Sequence, residues 1–297
     1  MRQRIEDTVH MTRQVREENW SPNFSAILPM TGRFTLRMDD LFEALGTILG
    51  DNGPDVRADP LEAATDQTRR SWLRFGKPAP EAHLFSIGGI RMLVSHEHGS
   101  FEEESGFYRF INPNLWRSGA HDAAGHSSFV TVLEMSDAPF PHPDDVFDRA
   151  VAVTATAAAI AELHPILAAL WQPAENALPP ALFNSAVEDL KAEIPPLLLW
   201  TRWNLLPGDS EDQQPGLTTR GLSPLIGREI IAPPSDMPME HMLENVFRLA
   251  SRMINWDNPP EDGSVIGRAA PCRLRFRRRS IYSDDPYYEL IPTGAIP

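Results

Sequence analysis

Cysteine is nearly absent from this chain: Cys272 is the only one in 297 residues. A single thiol forms no internal disulfide and builds no thiolate zinc site, so a cysteine-stapled secreted scaffold is excluded and the cytoplasm is the expected home. Basic residues are also scarce. Lys and Arg total 27 against 41 Asp and Glu, a formal net charge of −14, and a surface of that sign repels phosphate backbones and anionic lipid. Neither nucleic acid nor a membrane is an expected partner. The most apolar stretch, Val146 to Trp171, is interrupted by Asp148, Arg149, Glu162, His164 and Pro165 and reads as buried core instead of a bilayer span. The first twenty residues alternate charged and isolated apolar positions, without the apolar core of a secretory signal. Compact enzyme signatures are missing too. There is no GxGxxG, GxxxxGKS/T, HExxH, GxSxG or EF-hand loop, so no motif assigns a catalytic residue or a cofactor.

What is plentiful is proline, 28 residues and about twice the usual share of roughly 5%. Long uninterrupted helices should be few. The 42% of hydrophobic residues is enough for a globular core, and the length allows about two domains. Four segments repeat one organisation: an apolar strand, a proline-bearing loop and an amphipathic helix. They begin at Phe24–Pro29, Phe129–Leu133, Ile166–Trp171 and Glu229–Ile231. Their helices are expected at Leu41–Leu49, from Asp144 onward, at Ala181–Ala192 and at Met239–Ile254. Acids such as Asp39-Asp40 and Asp144-Asp145 head the first two helices, where they complement exposed N–H groups and the positive end of the helix dipole. Phe147, Val151, Ala155, Ala158 and Ala159 form a stripe of mostly small residues, which suits the second helix to a central position against a sheet.

Further strands are expected at Ala82–Ile87 and Ile90–Val94, joined by the hairpin signal Gly88-Gly89, and at Leu197–Trp203. The fold class that follows is α+β, with mixed and antiparallel sheets built from split βαβ-like strand–loop–helix units in two fused halves. The expected division places residues 1–120 in an N-terminal half and 121–297 in a C-terminal half. Residues 206–216 (LPGDSEDQQPG) read as an acidic hairpin loop. Arg268 to Arg279 holds six arginines and no acid. Alternation of Cys272, Leu274 and Phe276 with Arg273, Arg275 and Arg277 makes it an amphipathic strand; a docking patch for something acidic is the lesser alternative.

The segment Gly216–Ile230, GLTTRGLSPLIGREI, carries three glycines among Thr218, Thr219 and Ser223, the pattern of a strand that turns sharply and re-enters a sheet. With the flanking ILAALW, LLLWTRW and DGSVIG, it resembles the bacterial family catalogued as domain of unknown function 4261. The likeness is strongest over residues 164–267, and its core falls on Thr219, Gly221, Leu222, Gly227, Glu229 and Ile230. The resemblance implies a cytoplasmic bacterial protein, some of whose relatives are similar to accessory or immunity-type proteins encoded near type VI secretion genes. It carries over no catalytic residue.

Two functional expectations follow. The first is a non-enzymatic binding protein whose acidity suits a basic partner protein such as an effector. Its patch is expected on the acidic loop residues Asp209, Glu211 and Asp212 and on a face bearing Trp200, Arg202, Arg220 and Glu229, because Trp and Arg dominate interface hot spots. A homodimer is compatible with the same composition. The alternative is a metal-dependent hydrolase: His96 and His98 share one face of a strand, and Asp122 and His126 could complete a site whose ion activates water.

Overall fold

The computed structural model describes residues 24–294, apart from residues 33, 51–55, 59–80, 102–103, 114, 117, 136–142, 209–212, 255–259, 279–282 and 284. The chain is α+β and divides into two compact units, Pro22–Leu199 and Trp200–Pro297. Among the described residues, no helix is long and apolar enough to cross a membrane.

The first unit is built on seven strands: β1 (Ser25–Met30), β2 (Val56–Ala58), β3 (Glu81–Ile87), β4 (Ile90–His98), β5 (Ser128–Glu134), β6 (Ala169–Trp171) and β7 (Asn176–Leu178). Their order across the sheet is β2-β3-β4-β5-β1-β6-β7, and every pairing is antiparallel. The hairpin expected at Gly88-Gly89 forms there, with Ile87 opposite Ile90 and both glycines at positive φ, which a two-residue turn of this hand requires. A break near residue 120 would separate β1 from β5. These strands are hydrogen-bonded neighbours in register from Ser25↔Leu133 to Met30↔Ser128, so the division falls at residue 199 instead.

The helices of this unit are α1 (Met38–Leu49), α2 (Glu104–Phe107), α3 (Ala120–Ala124), α4 (Pro143–Leu163) and α5 (Pro180–Lys191). Helix α4 is the central one, packed on β1, β4, β5, α1 and α5. Its small side chains Ala150, Ala152, Ala155, Ala157, Ala158 and Ala159 are buried. Thr154 and Thr156 lie in the same tight contact, and each hydroxyl donates to the carbonyl one turn back, Ala150 and Ala152, which satisfies it without water. The other face of the sheet carries Ile27, Phe129 and Leu170 against Phe107, Phe110, Ile111 and Ala123.

One buried ion pair joins three of these elements. Arg149 of α4 grips Glu134 at the end of β5 through Nε–Oε1 (2.8 Å) and Nη2–Oε2 (2.5 Å), and the Phe24 amide donates to the same carboxylate. Both side chains are buried. Burial pushes the Glu134 carboxyl above its ordinary range, against the lowering effect of Arg149.

A turn of helix, α6 (Leu197–Trp200), ends the first unit, and the second holds β8 (Arg202–Leu206), β9 (Gly216–Arg220), α7 (Ser223–Ile226), β10 (Glu229–Ala232), α8 (Met239–Ile254), β11 (Val265–Ile266), β12 (Cys272–Arg277) and β13 (Tyr287–Pro292). The strand expected over 197–203 thus starts only at Arg202. Pro195 and Pro196 precede it, and their carbonyls accept from the Leu197 and Leu199 amides to close a helical turn. The sheet order is β11-β12-β13-β10-β9-β8. Among the described strands, β10 and β13 are the only hydrogen-bonded neighbours that run parallel, joined by a crossover that contains α8 and the β11–β12 pair. In the first unit β5 and β6 flank β1 and both run antiparallel to it, so β5–α4–β6 is a split βαβ unit as expected. Met242, Val246, Leu249 and Met253 seat α8 on the sheet. Buried Asn245 donates to the Ala270 carbonyl at 2.7 Å, and a Cβ on Gly267 would lie 2.0 Å from its side-chain oxygen. The thiol of Cys272 is buried and its pKa raised by that burial, which makes it unreactive.

Candidate functional site

The segment from Gly216 to Ile230 folds as β9, a sharp turn, the short helix α7 and β10, as its glycines suggest. Gly221 and Gly227 both take positive φ; Gly227 ends α7 with its amide donating to the Ser223 carbonyl. Glu229 binds the turn from inside. Its Oε1 accepts from the amides of Gly221 (2.9 Å) and Ser223 (2.9 Å), and its Oε2 accepts from the Thr219 hydroxyl (2.8 Å) and the Leu222 amide (3.3 Å). Thr219 is occupied on both sides, since its hydroxyl oxygen also accepts from the Ile230 amide at 2.8 Å. Burial raises the Glu229 pKa, and these four donors oppose the rise. The Thr219, Gly221, Leu222, Gly227, Glu229 and Ile230 pattern is therefore one hydrogen-bonded corner.

Other candidate binding residues are dispersed. Trp200 is fully buried and forms no part of a surface. The β8–β9 register sets Arg202 opposite Arg220, so both project from one side of the sheet while Trp203 and Leu205 project from the other. Asp209, Glu211 and Asp212 lie outside the described residues. The hairpin expected around them is present, because Leu206 pairs with Gly216 at its base.

A surface feature that the sequence did not single out lies on the Trp203 side. Phe247 of α8 stacks flat on the Trp203 indole, centroids 4.5 Å apart and planes within 6°. Phe247 is 38% exposed and Leu205 54% exposed. Two large apolar side chains are thus open to solvent around a rigid aromatic pair on a terminal strand of the sheet. Trp203 alone was legible as a hot-spot type, whereas Phe247 looks like one more apolar position of an amphipathic helix.

The histidines do not assemble as a hydrolase would need. β4 continues to His98 and places His96 and His98 on one face as expected, rings edge-on at 4.7 Å. His96 is buried against Phe34, and His98 is exposed. His126 is used up elsewhere: Nδ1 pairs with the Ala123 carbonyl at 2.8 Å, and Nε2 accepts from the Phe101 amide at 2.8 Å. Those bonds define a neutral imidazole with its proton on Nδ1, and burial lowers its pKa. Asp122 is exposed on α3. Among the described residues, no group of three or more His, Cys, Asp or Glu side chains is placed to hold a metal ion.

Comparison with family models, with curated proteins and with solved structures yields no match to this chain.

Proposed function

We propose that this chain is a non-enzymatic binding protein that docks a basic partner protein on the apolar ridge of Trp203, Leu205 and Phe247. The observation that carries the reading is the exposure of Leu205 and Phe247 beside a stacked tryptophan. Isolated exposed apolar residues are ordinary, but a cluster around a pre-ordered aromatic pair is the composition of an interface hot spot, with little side-chain entropy left to lose on binding. Net charge supports the sign of the partner. At −14 overall, the chain attracts cationic proteins over distances near the Debye length, and the β8–β9 connection contributes Asp209, Glu211 and Asp212 close in sequence to the ridge. The resemblance to the domain of unknown function 4261 family adds a setting to the proposal: a cytoplasmic accessory or immunity-type role beside type VI secretion.

The test is native mass spectrometry of untagged protein purified from its host without chelator, alongside Leu205→Glu and a control, Glu43→Lys, on the first unit. A stoichiometric second protein retained by wild type and control and lost by Leu205→Glu supports the ridge. Charge reversal at Asp209 and Glu211 should weaken the same complex and leave folding intact. A second copy of this chain in place of a different protein, or a complex indifferent to Leu205→Glu, overturns the reading.

A further inference from the structure

The arginine-rich strand β12 behaves as its alternation predicts: Cys272 and Leu274 are buried, Arg273 and Arg277 exposed. Two of its guanidiniums have carboxylate partners. Arg277 Nε lies 2.6 Å from Glu289 Oε2, and Arg275 lies 4.0 Å from Asp262. Arg228, which enters from the start of β10, does not follow this pattern. It is only 6% exposed, and its guanidinium packs against one side of a contacting aromatic pair, 5.5 Å from the Phe276 centroid and 5.4 Å from that of Tyr288, with the two centroids 5.1 Å apart. Its Nε is sealed from solvent and meets no acceptor, and no carboxylate pairs with it among the described residues. Burial lowers the Arg228 pKa; Tyr288 opposes that shift and the like charge of Arg278 adds to it.

A buried arginine without a counter-charge is costly. Two aromatic faces offset part of that cost, but they supply no acceptor for the N–H donors that a guanidinium presents in a planar fork. The fork matches the paired oxygens of a carboxylate or phosphate, and the low-dielectric surroundings would strengthen such a bond. We propose that Arg228, packed against the contacting Phe276 and Tyr288 rings, forms a socket for one oxyanionic group, a carboxylate or phosphate, of a small ligand. The socket is separate from the Trp203 ridge and is independent of the protein-binding reading.

The full chain tests this directly. Its thermal midpoint and the arginine Nε–H resonances are followed in inorganic phosphate, in acetate and in chloride, at equal pH and ionic strength. Wild type should gain roughly 2–4 °C at about ten times the dissociation constant, and the Arg228 Nε–H resonance should move with it. Arg228→Met should lose the gain and, in chloride, be no less stable than wild type, since a buried charge has been removed; Arg228→Lys should retain less than half of the gain because it keeps the charge but not the fork. Response to acetate alone identifies a carboxylate ligand, and response to phosphate alone a phosphate ligand; each supports the socket. Equal midpoints in all three salts with an unmoved Nε–H resonance overturn it, as does a gain that Arg228→Met retains. Should Arg228→Met fail to fold, the wild-type titration still decides.

Discussion

Replacing Glu229 by Gln changes almost no volume and removes the charge that organises the β9–α7–β10 corner. The carboxylate accepts from three backbone amides and one hydroxyl. A glutamine oxygen can serve two of those donors, while its NH2 faces the other two and repels them. Each stranded donor costs about 1–3 kcal/mol, so two give about 2–6 kcal/mol. Glutamine also avoids the desolvation that raises the Glu229 pKa, which trims the expected loss to about 2–4 kcal/mol. Urea titration followed by tryptophan fluorescence measures the global loss. Hydrogen exchange at the Gly221 and Ser223 amides measures the local one, at about tenfold faster exchange for each 1.4 kcal/mol. Thr219→Val removes one donor to Glu229 and the acceptor of the Ile230 amide, and its effect should be strongly non-additive with Glu229→Gln. A Glu229→Gln protein within about 0.5 kcal/mol of wild type, with unchanged exchange at both amides, would refute the structural account and return Glu229 to the list of groups available for binding.

Other outcomes follow from buried groups in the first unit. Glu134→Ala leaves Arg149 buried without its partner and should lower stability by about 3–5 kcal/mol in urea titration, whereas the joint change Glu134→Leu with Arg149→Met should recover most of that loss. Because the folded Glu134 pKa lies above its ordinary value, this group's contribution is full at low pH and is lost as pH rises from about 4.3 through the raised value. The stability gap between wild type and Glu134→Gln should therefore narrow across that window; a widening gap contradicts the assignment. His126 has the opposite sign. Its folded pKa is lowered, so wild type should lose stability as pH falls from about 6.5 through the lowered value, and His126→Gln should flatten that slope in thermal melts taken across the same range.

Much of the architecture was legible in local pattern. Two-residue alternation marked β12, an apolar run marked β5, the Gly88-Gly89 pair marked the β3–β4 hairpin, and the small-residue helix Pro143–Leu163 took the central place its composition implied. The strand expected over 197–203 was a different matter, because two prolines and a run of leucines fit a short buried helical turn as well as a strand. The candidate site was less legible still. Glu229 was singled out for its place in a distinctive motif, but its role depends on three amides and a hydroxyl up to ten residues away. Arg149 and Glu134 looked like an interruption of an apolar stretch and a strand end, and Arg228 like one arginine among many.

The amino-acid order alone determined most of the element types, the acidity and the corner at Gly221 and Gly227, because these depend on periodicity, on composition and on backbone freedom within a few residues. Only the tertiary structure decided that β1 lies beside β5, that His126 is spent on Phe101 and Ala123, that Phe247 covers Trp203, and that Arg228 is buried against a contacting pair of rings. Those outcomes depend on which distant surfaces meet. Burial and pairing belong to that meeting, and they give the same side chain either a structural bond or an unmatched charge.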